Sequence, residues 1–207
     1  MILFSPEEFT KLKEKLILYR CGLKNVETRV ETLLEEFANL HPYNPIEHVK
    51  SRVKSPESIA GKLHRRGYKI TAEDACDHMS DIAGIRCICS YAKDIFYMVD
   101  VLKRQPDIKI LSEKDYITEP KRTGYRSFHL IVEVPVYFTN KTFYVPVEVQ
   151  LRTQAMDFWA SLEHKVRYKY NNAIPETLST ALIDCADKIA ELDKRMYLIQ
   201  EIADLTQ

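Results

Sequence analysis

Hydrophobic and polar residues alternate along two stretches of the chain, residues 125–138 and residues 142–152. An alternation with a period of two is typical of a β-strand that buries one face. Only Thr139, Asn140 and Lys141 separate the two stretches. The pattern therefore predicts an antiparallel β-hairpin at the centre of the fold.

Shorter apolar runs predict three further strands, in residues 46–53, 81–90 and 108–111. Ser55 and Pro56 are typical of a helix start, and that helix is expected to stop at Gly67. Residues 92–104 show the spacing of another helix. Together these elements predict an α+β fold with a mixed, largely antiparallel sheet of about five strands flanked by helices.

Helical patterns also precede and follow this core. Ser5, Pro6 and Glu8 form the sequence of a capping box, and the helix that they start is expected to end near Gly22. A second helix then runs to His41. After Arg152 the pattern is helical to Tyr170, residues 171–175 break it, and a last helix extends to about residue 205. Its apolar positions more than fill one face, so it either packs on the domain or associates with another copy.

These boundaries divide the chain into three parts. Residues 1–45 form N-terminal helices, residues 46–170 form the core, and residues 171–207 form a C-terminal helix for oligomerisation. A chain of 207 residues suits one catalytic unit rather than two full domains. No run approaches the roughly 20 apolar residues that cross a bilayer, and residues 1–4 are too short for a signal sequence. We expect a cytoplasmic protein with no membrane partner.

Charge and cysteine content argue against two kinds of site, a general RNA-binding surface and a zinc site. Lys plus Arg and Asp plus Glu number 30 each, so no global basic field supports RNA binding, and any phosphate site must be local. Five cysteines include the close pair Cys87 and Cys89, without a second pair or a histidine at zinc-ligand spacing. Buried free thiols in a reducing compartment are the simpler interpretation.

The segment DYITEPKRTGYRSFH (residues 115–129) combines the parts of a nucleotide site. Lys121 and Arg122 can meet phosphate, Gly124 permits a turn, and Tyr125 offers a flat surface for a base. The alternation places Tyr125, Ser127 and His129 on one face of the strand. A hairpin followed by a half-buried edge strand would give a similar pattern, and the residues alone leave that alternative open.

A second constellation surrounds the start of the helix at Ser55. Arg52 and Lys54 lie in the segment just before the helix, and Ser58 and Lys62 are one turn apart on the helix. Because a helix N-terminus attracts anions, these residues could cradle a triphosphate. An ordinary solvated basic face is the alternative.

Two carboxylates complete the candidate chemistry. Asp81 lies at the start of a buried strand, and Glu148 shares the polar face of its strand with Gln150 and Arg152. The hairpin would bring Glu148 near Tyr125 and His129, although a salt bridge to Arg152 or Arg126 could also explain it. Mg²⁺ needs only one or two carboxylates beside phosphate and water, so metal-assisted phosphoryl or pyrophosphoryl transfer fits. The sequence has no GKS or GKT motif, which excludes a P-loop nucleotide-binding site.

Four segments, in order, resemble the motifs of the RelA/SpoT-type synthetase domain. They are RVKSPESIAGKL (residues 52–63), DIAGIRCIC (residues 81–89), the segment of residues 115–129, and VEVQLRTQAMDFWASLEHKVRYKY (residues 147–170). In size and helical flanks the chain is similar to the stand-alone small alarmone synthetases. The resemblance implies a nucleotidyltransferase-like synthetase fold. It also implies transfer of the β,γ-pyrophosphate of ATP to the 3′-hydroxyl of GDP or GTP, giving ppGpp or pppGpp and AMP in the stringent response.

The resemblance also implies roles for individual residues. Asp81 would hold Mg²⁺, and Glu148 would help to hold the metal or take the proton of the 3′-hydroxyl. The implied ATP-binding residues are Arg52 and Arg86, which flank adenine, and Lys54, Ser58, Lys62 and Lys114, which bind phosphates. The implied acceptor-binding residues are Tyr125, which stacks on guanine, Lys121 and His129, which bind phosphate or ribose, Gln150 nearby, and Asp157, which reads the guanine edge.

The family often has Asn at the positions of Asp157 and Thr123, so this chain departs from the family at the guanine contact, and the shorter side chain of Thr123 is expected to loosen the acceptor preference. Resemblance further implies a homotetramer built partly through the terminal helices, with (p)ppGpp as an allosteric ligand. Toxic relatives that modify tRNA or make adenosine alarmones are one alternative. An inactive RNA-binding or interaction module is another, although it would not need Asp81 and Glu148 among phosphates.

Overall fold

The structure is a computed structural model that describes residues 3–170 and 174–205. Its elements follow one another as α1 (Pro6–Leu40), β1 (Ile46–Val53), α2 (Pro56–Arg65), α3 (Ala72–His78), β2 (Ala83–Cys89), α4 (Ala92–Lys103), β3 (Lys109–Asp115), β4 (Phe128–Tyr137), β5 (Thr142–Thr153), α5 (Gln154–Lys169) and α6 (Glu176–Leu205).

The five strands form one sheet in the order β1-β2-β5-β4-β3. Strands β2 and β5 run parallel, and the other neighbours are antiparallel. The predicted hairpin is confirmed as β4 and β5, whose turn is closed by a hydrogen bond of 2.9 Å from Phe138 N–H to the Lys141 carbonyl. The α+β fold with a mixed, largely antiparallel sheet is therefore confirmed.

Helix α1 corrects the prediction of two N-terminal helices. It is continuous over 35 residues and passes through Gly22 without a break. A Cβ at Gly22 would stand 2.9 Å from the Cβ of Val145, so the glycine lets the helix approach the sheet rather than ending it. Ser5 caps the helix as predicted, but Glu8 does not complete a capping box, because its carboxylate accepts a hydrogen bond of 2.8 Å from Ala72 N–H.

Other boundaries also differ from the prediction. Helix α3 was not predicted, since seven residues hold too little periodicity; Thr71 caps it by accepting from Asp74 N–H. Strand β3 continues to Asp115, past an irregularity between Ile110 and Ser112 that interrupts the alternation. Strand β4 begins at Phe128 and not at residue 125.

The apolar face of the sheet forms the core against α1 and α4. Leu130, Val132, Val147 and Val149 are fully buried there. Cys87 and Cys89, also fully buried, are free thiols as expected; burial raises the pKa of Cys87 to about 12. With one face buried in this way, the opposite face of the sheet is left to carry polar side chains.

The C-terminal helices pack on each other beside the sheet. Trp159 of α5 and Ala186 of α6 share a small apolar cluster, and the Trp159 indole N–H donates to the Leu182 carbonyl at 3.0 Å. Part of the predicted break before α6, residues 171–173, lies outside the described residues. Within the part of the chain that the structure describes, none of the helices is sufficiently long and apolar to span a membrane.

Candidate active site

A cavity of about 830 Å³ lies over the polar face of the sheet. Two rows of residues cross all five strands beneath it. The first row is Arg52, Gly84, Glu148, Ile131 and Ser112, and the second is Lys50, Arg86, Gln150, His129 and Lys114. All ten residues line the cavity. Since neighbours within a row are register partners and the rows are two residues apart, the pleat itself points this set to one side.

Asp81 anchors one end of the cavity, just before β2. Its carboxylate Oδ2 accepts from the Lys54 ammonium at 2.9 Å and from the Lys62 ammonium of α2. Lys54 also donates to the Asp81 carbonyl at 2.6 Å. Burial acts to raise the pKa of the Asp81 carboxyl, but the hydrogen bonds and charges of Lys62 and Lys54 hold it below its usual range. Asp81 is therefore a carboxylate already surrounded by the cations that a polyphosphate would need.

The start of α2 is capped as predicted, and Ser55 accepts from Ser58 N–H. Ser58 itself is exposed, lies outside the lining of the cavity, and its hydroxyl oxygen accepts from the Ser55 hydroxyl at 3.1 Å. A contact between Ser58 and the ATP phosphates stays a prediction. Arg66 and Ser80 line the cavity instead, and sequence reasoning missed both.

Glu148 lies at the centre of the first row. Its Oε1 is 3.2 Å from His129 Nδ1, and its Oε2 accepts from the Gln150 amide at 2.8 Å. Burial acts to raise the pKa of the Glu148 carboxyl, but the hydrogen bonds from His129 and Gln150 lower it. The alternative salt bridge is not formed, because Arg152 pairs with Asp157 and Arg126 pairs with Asp187.

Aromatic rings and Lys121 occupy the other end of the site. The Lys121 ammonium lies 4.4 Å from the ring centre of Tyr116 and 4.6 Å from that of Tyr125. The Tyr116 ring stands edge-on to His129, with centroids 5.3 Å apart. Burial, and next the charge of Lys114, lower the pKa of Lys121. A planar base and an anionic group would both find partners at this end.

The loop before β4 departs from the strand pattern. Ser127 was expected beside Tyr125 and His129 on the site face, and this is wrong: it is fully buried and its hydroxyl donates to the Leu151 carbonyl at 3.2 Å. Gly124 has φ +85°, as its predicted turn requires, and its N–H donates to the Lys121 carbonyl at 2.8 Å. The turn frees residues 125–127 from the period of two.

Arg86 and Asp157 meet at the edge of the cavity. Arg86 lines it and donates to Asp157 Oδ1 at 2.9 Å, and Arg152 donates to the same oxygen at 3.0 Å. Neither Asp157 nor Tyr125 is among the lining residues of the cavity, so their contacts with guanine stay predictions. The carboxylate of Asp157 is held by two guanidinium groups.

Lys50 and Tyr116 also line the cavity and were not predicted as site residues. A signal for Lys50 was present, since it is two residues before Arg52 on the same strand and must share its face. Tyr116 stands inside the segment of residues 115–129 that carries the acceptor motif. A signal for Arg66 was also present, since it is four residues after Lys62 and the helix was expected to continue to Gly67.

Asp81 and Glu148 are the candidates for a metal ion. Asp81 Oδ1 is buried and has no hydrogen-bond partner among the described residues, and the charge of Asp81 reaches Glu148, whose pKa it acts to raise. No group of three His, Cys, Asp or Glu side chains forms a metal cluster within residues 3–170 and 174–205. Two carboxylates with an unused oxygen fit Mg²⁺, which completes its shell with phosphate and water.

Comparison with known proteins places this site in a family. The family model "Region found in RelA / SpoT proteins" matches residues 51–173. GTP pyrophosphokinase YwaC from Bacillus subtilis strain 168 is 48% identical over 192 residues, which cover 93% of this chain and 91% of that protein.

Solved structures agree over nearly the whole chain. The small alarmone synthetase 1 of Bacillus subtilis bound to its product pppGpp is 33% identical, with a TM-score of 0.86, over 92% of this chain and 97% of that one. The same synthetase bound to AMPCPP is 29% identical, with a TM-score of 0.81, over 94% and 98%. The chain belongs to the RelA/SpoT family and, within it, to the small alarmone synthetases.

Proposed function

We propose that this chain is a GTP pyrophosphokinase, which transfers the β,γ-pyrophosphate of ATP to the 3′-hydroxyl of GDP or GTP and releases AMP. The observation that carries the proposal is the position of Glu148. Its half-buried carboxylate lies in the middle of the cavity, between a cation-rich end around Asp81 and an aromatic end around Tyr116. A donor and an acceptor nucleotide can therefore meet at one carboxylate. The products are ppGpp or pppGpp.

ATP belongs at the end built by β1, β2 and α2. Lys54 and Lys62 already face a carboxylate there, and Arg52 and Arg86 line the same end of the cavity. Lys114 lies on β3, at the opposite edge of the sheet beside His129, so it would reach the ATP phosphates only from the acceptor side. Cations fixed by the fold stabilise the triphosphate and the charge that develops on it during transfer. The relative bound to AMPCPP supports ATP as a substrate, since a triphosphate analogue binds to the same fold. Ser58 would join these residues only from outside the present lining.

The acceptor nucleotide belongs at the aromatic end. Tyr125 supplies the stacking surface for guanine, and Lys121 and His129 face its phosphate or ribose. Gln150 lies beside Glu148, and Asp157 would read the guanine edge after release from Arg86. A guanine N1–H and amino group suit a carboxylate acceptor, whereas adenine offers no matching pair of donors at that edge.

Glu148 takes the proton in the transfer. The 3′-oxygen forms a bond to the β-phosphorus of ATP, the bond between that phosphorus and the oxygen bridging to the α-phosphate breaks, and AMP leaves with the bridging oxygen. The hydroxyl proton passes to the Glu148 carboxylate, which keeps unused lone pairs beside its bonds to His129 and Gln150. Asp81 and Glu148 would hold Mg²⁺. When bound, the metal neutralises phosphate charge and orients the pyrophosphoryl group.

Transfer of label tests this function directly. The protein is incubated with ATP labelled in the γ-phosphate and, separately, with GDP, GTP, GMP, ADP or tRNA, and the products are resolved chromatographically. We expect label in a guanosine 3′-pyrophosphate. Label that enters only tRNA or an adenine nucleotide would contradict the acceptor, and an unlabelled result with every acceptor would contradict the activity.

Assembly and location form the remaining part of the proposal. Leu192, Met196 and Ile199 of α6 are exposed by 57%, 50% and 59%. We propose that this face joins subunits into a homo-oligomer, a tetramer by family likeness. We also propose a cytoplasmic location, where ATP and GTP are available. Allosteric binding of (p)ppGpp stays a prediction from the resemblance.

A further inference from the structure

Arg152 lies at the end of β5 and is only 4% exposed. It does not line the cavity. Its Nε donates to Ser127 Oγ at 3.3 Å and its Nη1 to Asp157 Oδ1 at 3.0 Å. Its Nη2 donates to the Tyr125 hydroxyl at 2.5 Å and to Gln150 Oε1 at 3.1 Å. Burying a guanidinium is costly unless every such bond is made.

Two hydrogen-bonded arms lead from Arg152 to Glu148. In the first arm, the Tyr125 hydroxyl is 2.8 Å from His129 Nε2, and His129 Nδ1 is 3.2 Å from Glu148 Oε1. In the second arm, Gln150 accepts from Arg152 and donates its amide N–H to Glu148 Oε2 at 2.8 Å. The arms start on one guanidinium nitrogen and end on the two oxygens of one carboxylate.

The direction of each bond follows from the two ends. A guanidinium can only donate and a carboxylate can only accept. The Tyr125 oxygen therefore accepts from Arg152 and offers its own proton to His129 Nε2. A neutral His129 then carries its proton on Nδ1 and donates it to Glu148. The Gln150 amide is oriented in the same sense, with oxygen towards Arg152 and nitrogen towards Glu148. Every group in the two arms therefore has a consistent role as hydrogen-bond donor or acceptor.

We infer that Arg152 is the positioning residue of Glu148, which it orients through the Tyr125–His129 arm and the Gln150 arm. The inference rests on the proposed function for its kinetic consequence, but its geometry stands independently. Both carboxylate oxygens are restrained from the side of β4 and β5, which leaves the remaining lone pairs directed at the cavity. A reacting group held in this way needs no reorientation when the acceptor hydroxyl arrives.

Tyr125→Phe separates this role from base stacking. The variant keeps the ring face and removes only the hydroxyl that joins Arg152 to His129. We expect kcat to fall by about 10-fold, the scale of one lost hydrogen bond to a charged group, with KM for GDP changed by less than about 2-fold. An unchanged kcat would overturn the inference, and so would a loss carried wholly by KM.

A double-mutant cycle with Arg152→Met tests whether the arm works through the arginine. If it does, adding Tyr125→Phe to Arg152→Met should lower kcat by less than about 2-fold, because the arm has already lost its anchor. Losses that multiply would show two independent residues and refute the inference. Should Arg152→Met fail to give a cooperative thermal transition, Arg152→Lys serves in the same cycle, since one ammonium keeps the charge but cannot reproduce the planar fork.

Nitrogen NMR of the imidazole gives a readout that needs no activity. In protein with ¹⁵N-labelled histidine, the His129 signals are assigned by their loss in His129→Gln. We expect the neutral ring to carry its proton on Nδ1, and the Nε2 signal to shift in Tyr125→Phe and in Arg152→Met. Tyr116→Phe changes a ring packed against the same imidazole, and it should leave the Nε2 signal unshifted.

A proton on Nε2 in the neutral ring, or an Nε2 signal unmoved by both changes, would overturn the inference. These outcomes do not depend on turnover. A wild-type protein that transfers no pyrophosphate would refute the proposed function, while the NMR comparison would still decide whether Arg152 controls the two arms.

Discussion

His129 and Glu148 meet at 3.2 Å although they are not register partners. His129 lies opposite Gln150 and Glu148 lies opposite Ile131, so the contact is a diagonal across the antiparallel strands β4 and β5. Diagonal neighbours of this kind are within reach of long side chains. The imidazole therefore approaches the Glu148 carboxylate from β4, while Gly84 of β2 is the register partner of Glu148 on its other side.

Glu148→Gln should abolish most activity without unfolding the protein. The amide keeps the size of the side chain but cannot take a proton and is a weaker metal ligand. We expect kcat to fall on the order of 10²-fold or more, the range for a lost general base or electrostatic group. Turnover is measured by release of AMP at saturating ATP and GDP, and thermal melting checks the fold.

Glu133→Gln is the matched control for this change. Glu133 lies two residues beyond Ile131 on β4, outside the cavity, where it pairs with Lys109 at 3.2 Å. It loses the same charge from the same sheet, so its kcat should remain near that of the wild type. A Glu148→Gln variant as active as Glu133→Gln would remove Glu148 from the chemistry.

Tyr125→Ala should weaken the acceptor nucleotide far more than ATP. Loss of one stacking surface costs about 1–3 kcal/mol per base, and the proposed stack belongs to guanine alone. Calorimetric titration of GDP and of a non-hydrolysable ATP analogue, each alone, compares the two affinities. Tyr144→Ala, on an exposed residue of β5, is the control. Equal losses for both nucleotides would contradict the assignment of Tyr125.

Gly22→Ala should destabilise the fold, although alanine is the better helix former. The gain in helix propensity is about 1 kcal/mol, but the new methyl group would stand 2.9 Å from Val145, and overpacking costs about 1–3 kcal/mol. Urea denaturation measures the free energy of unfolding. Gly61→Ala in α2 is the control, because its Cβ would meet only Arg65 Nη1, at 3.4 Å, and it should stabilise. If both variants stabilise, Gly22 is not a packing requirement.

These glycines show what the sequence could and could not predict of the fold. The hairpin followed from alternation, because burial of one face imposes a period of two on β4 and β5. The predicted end of the first helix at Gly22 was wrong, because a glycine that ends a helix and a glycine that allows close packing look alike in sequence. Helix α3 is too short for its periodicity to stand out.

The candidate site also contains residues that the sequence could place and residues that it could not. Arg52, Glu148 and Gln150 could be placed because each shares a face with its strand neighbours, and pairing carried that face across the sheet. Ser127 was misplaced because the turn at Gly124 ends before the strand begins. The role of Arg152 depends on which of several acceptors lie within reach in three dimensions, and no spacing in the sequence encodes that.

Asp193 should make stability depend on pH. Burial raises the pKa of this carboxyl on α6, although it accepts a hydrogen bond of 2.7 Å from Thr153, the cap of α5. A raised folded pKa means that the group contributes stability below its unfolded pKa of about 3.9, and that this contribution is lost as the pH rises through the folded value.

Asp193→Asn should therefore raise the free energy of unfolding near neutral pH, because the amide oxygen can still accept from Thr153 and no charge is buried. The difference from the wild type should narrow as the pH falls towards about 4. Urea denaturation at both pH values measures it. Asp184→Asn removes an exposed acid from the same helix and should change stability by less than about 0.5 kcal/mol. A neutral-pH difference that persists in acid would contradict the assignment to buried charge.

Helix α6 should hold subunits together. Leu192, Met196 and Ile199 are separated by four and three residues, so they form one stripe along the helix, and all are at least half exposed. A self-complementary apolar stripe is what a closed symmetric assembly buries. Replacement of Leu192 and Met196 by Asp would place charges in that contact, and light scattering should then report a smaller mass than for the wild type.

Lys194→Asp is the control, because it introduces the same side chain at an exposed polar position of the same helix. Its mass should equal that of the wild type. A wild-type protein that is already a monomer at tens of micromolar would refute the assembly, and the stripe would then be an ordinary exposed surface. If the wild type is an oligomer that survives both Asp replacements, the contact lies elsewhere, and the role given to α6 is wrong.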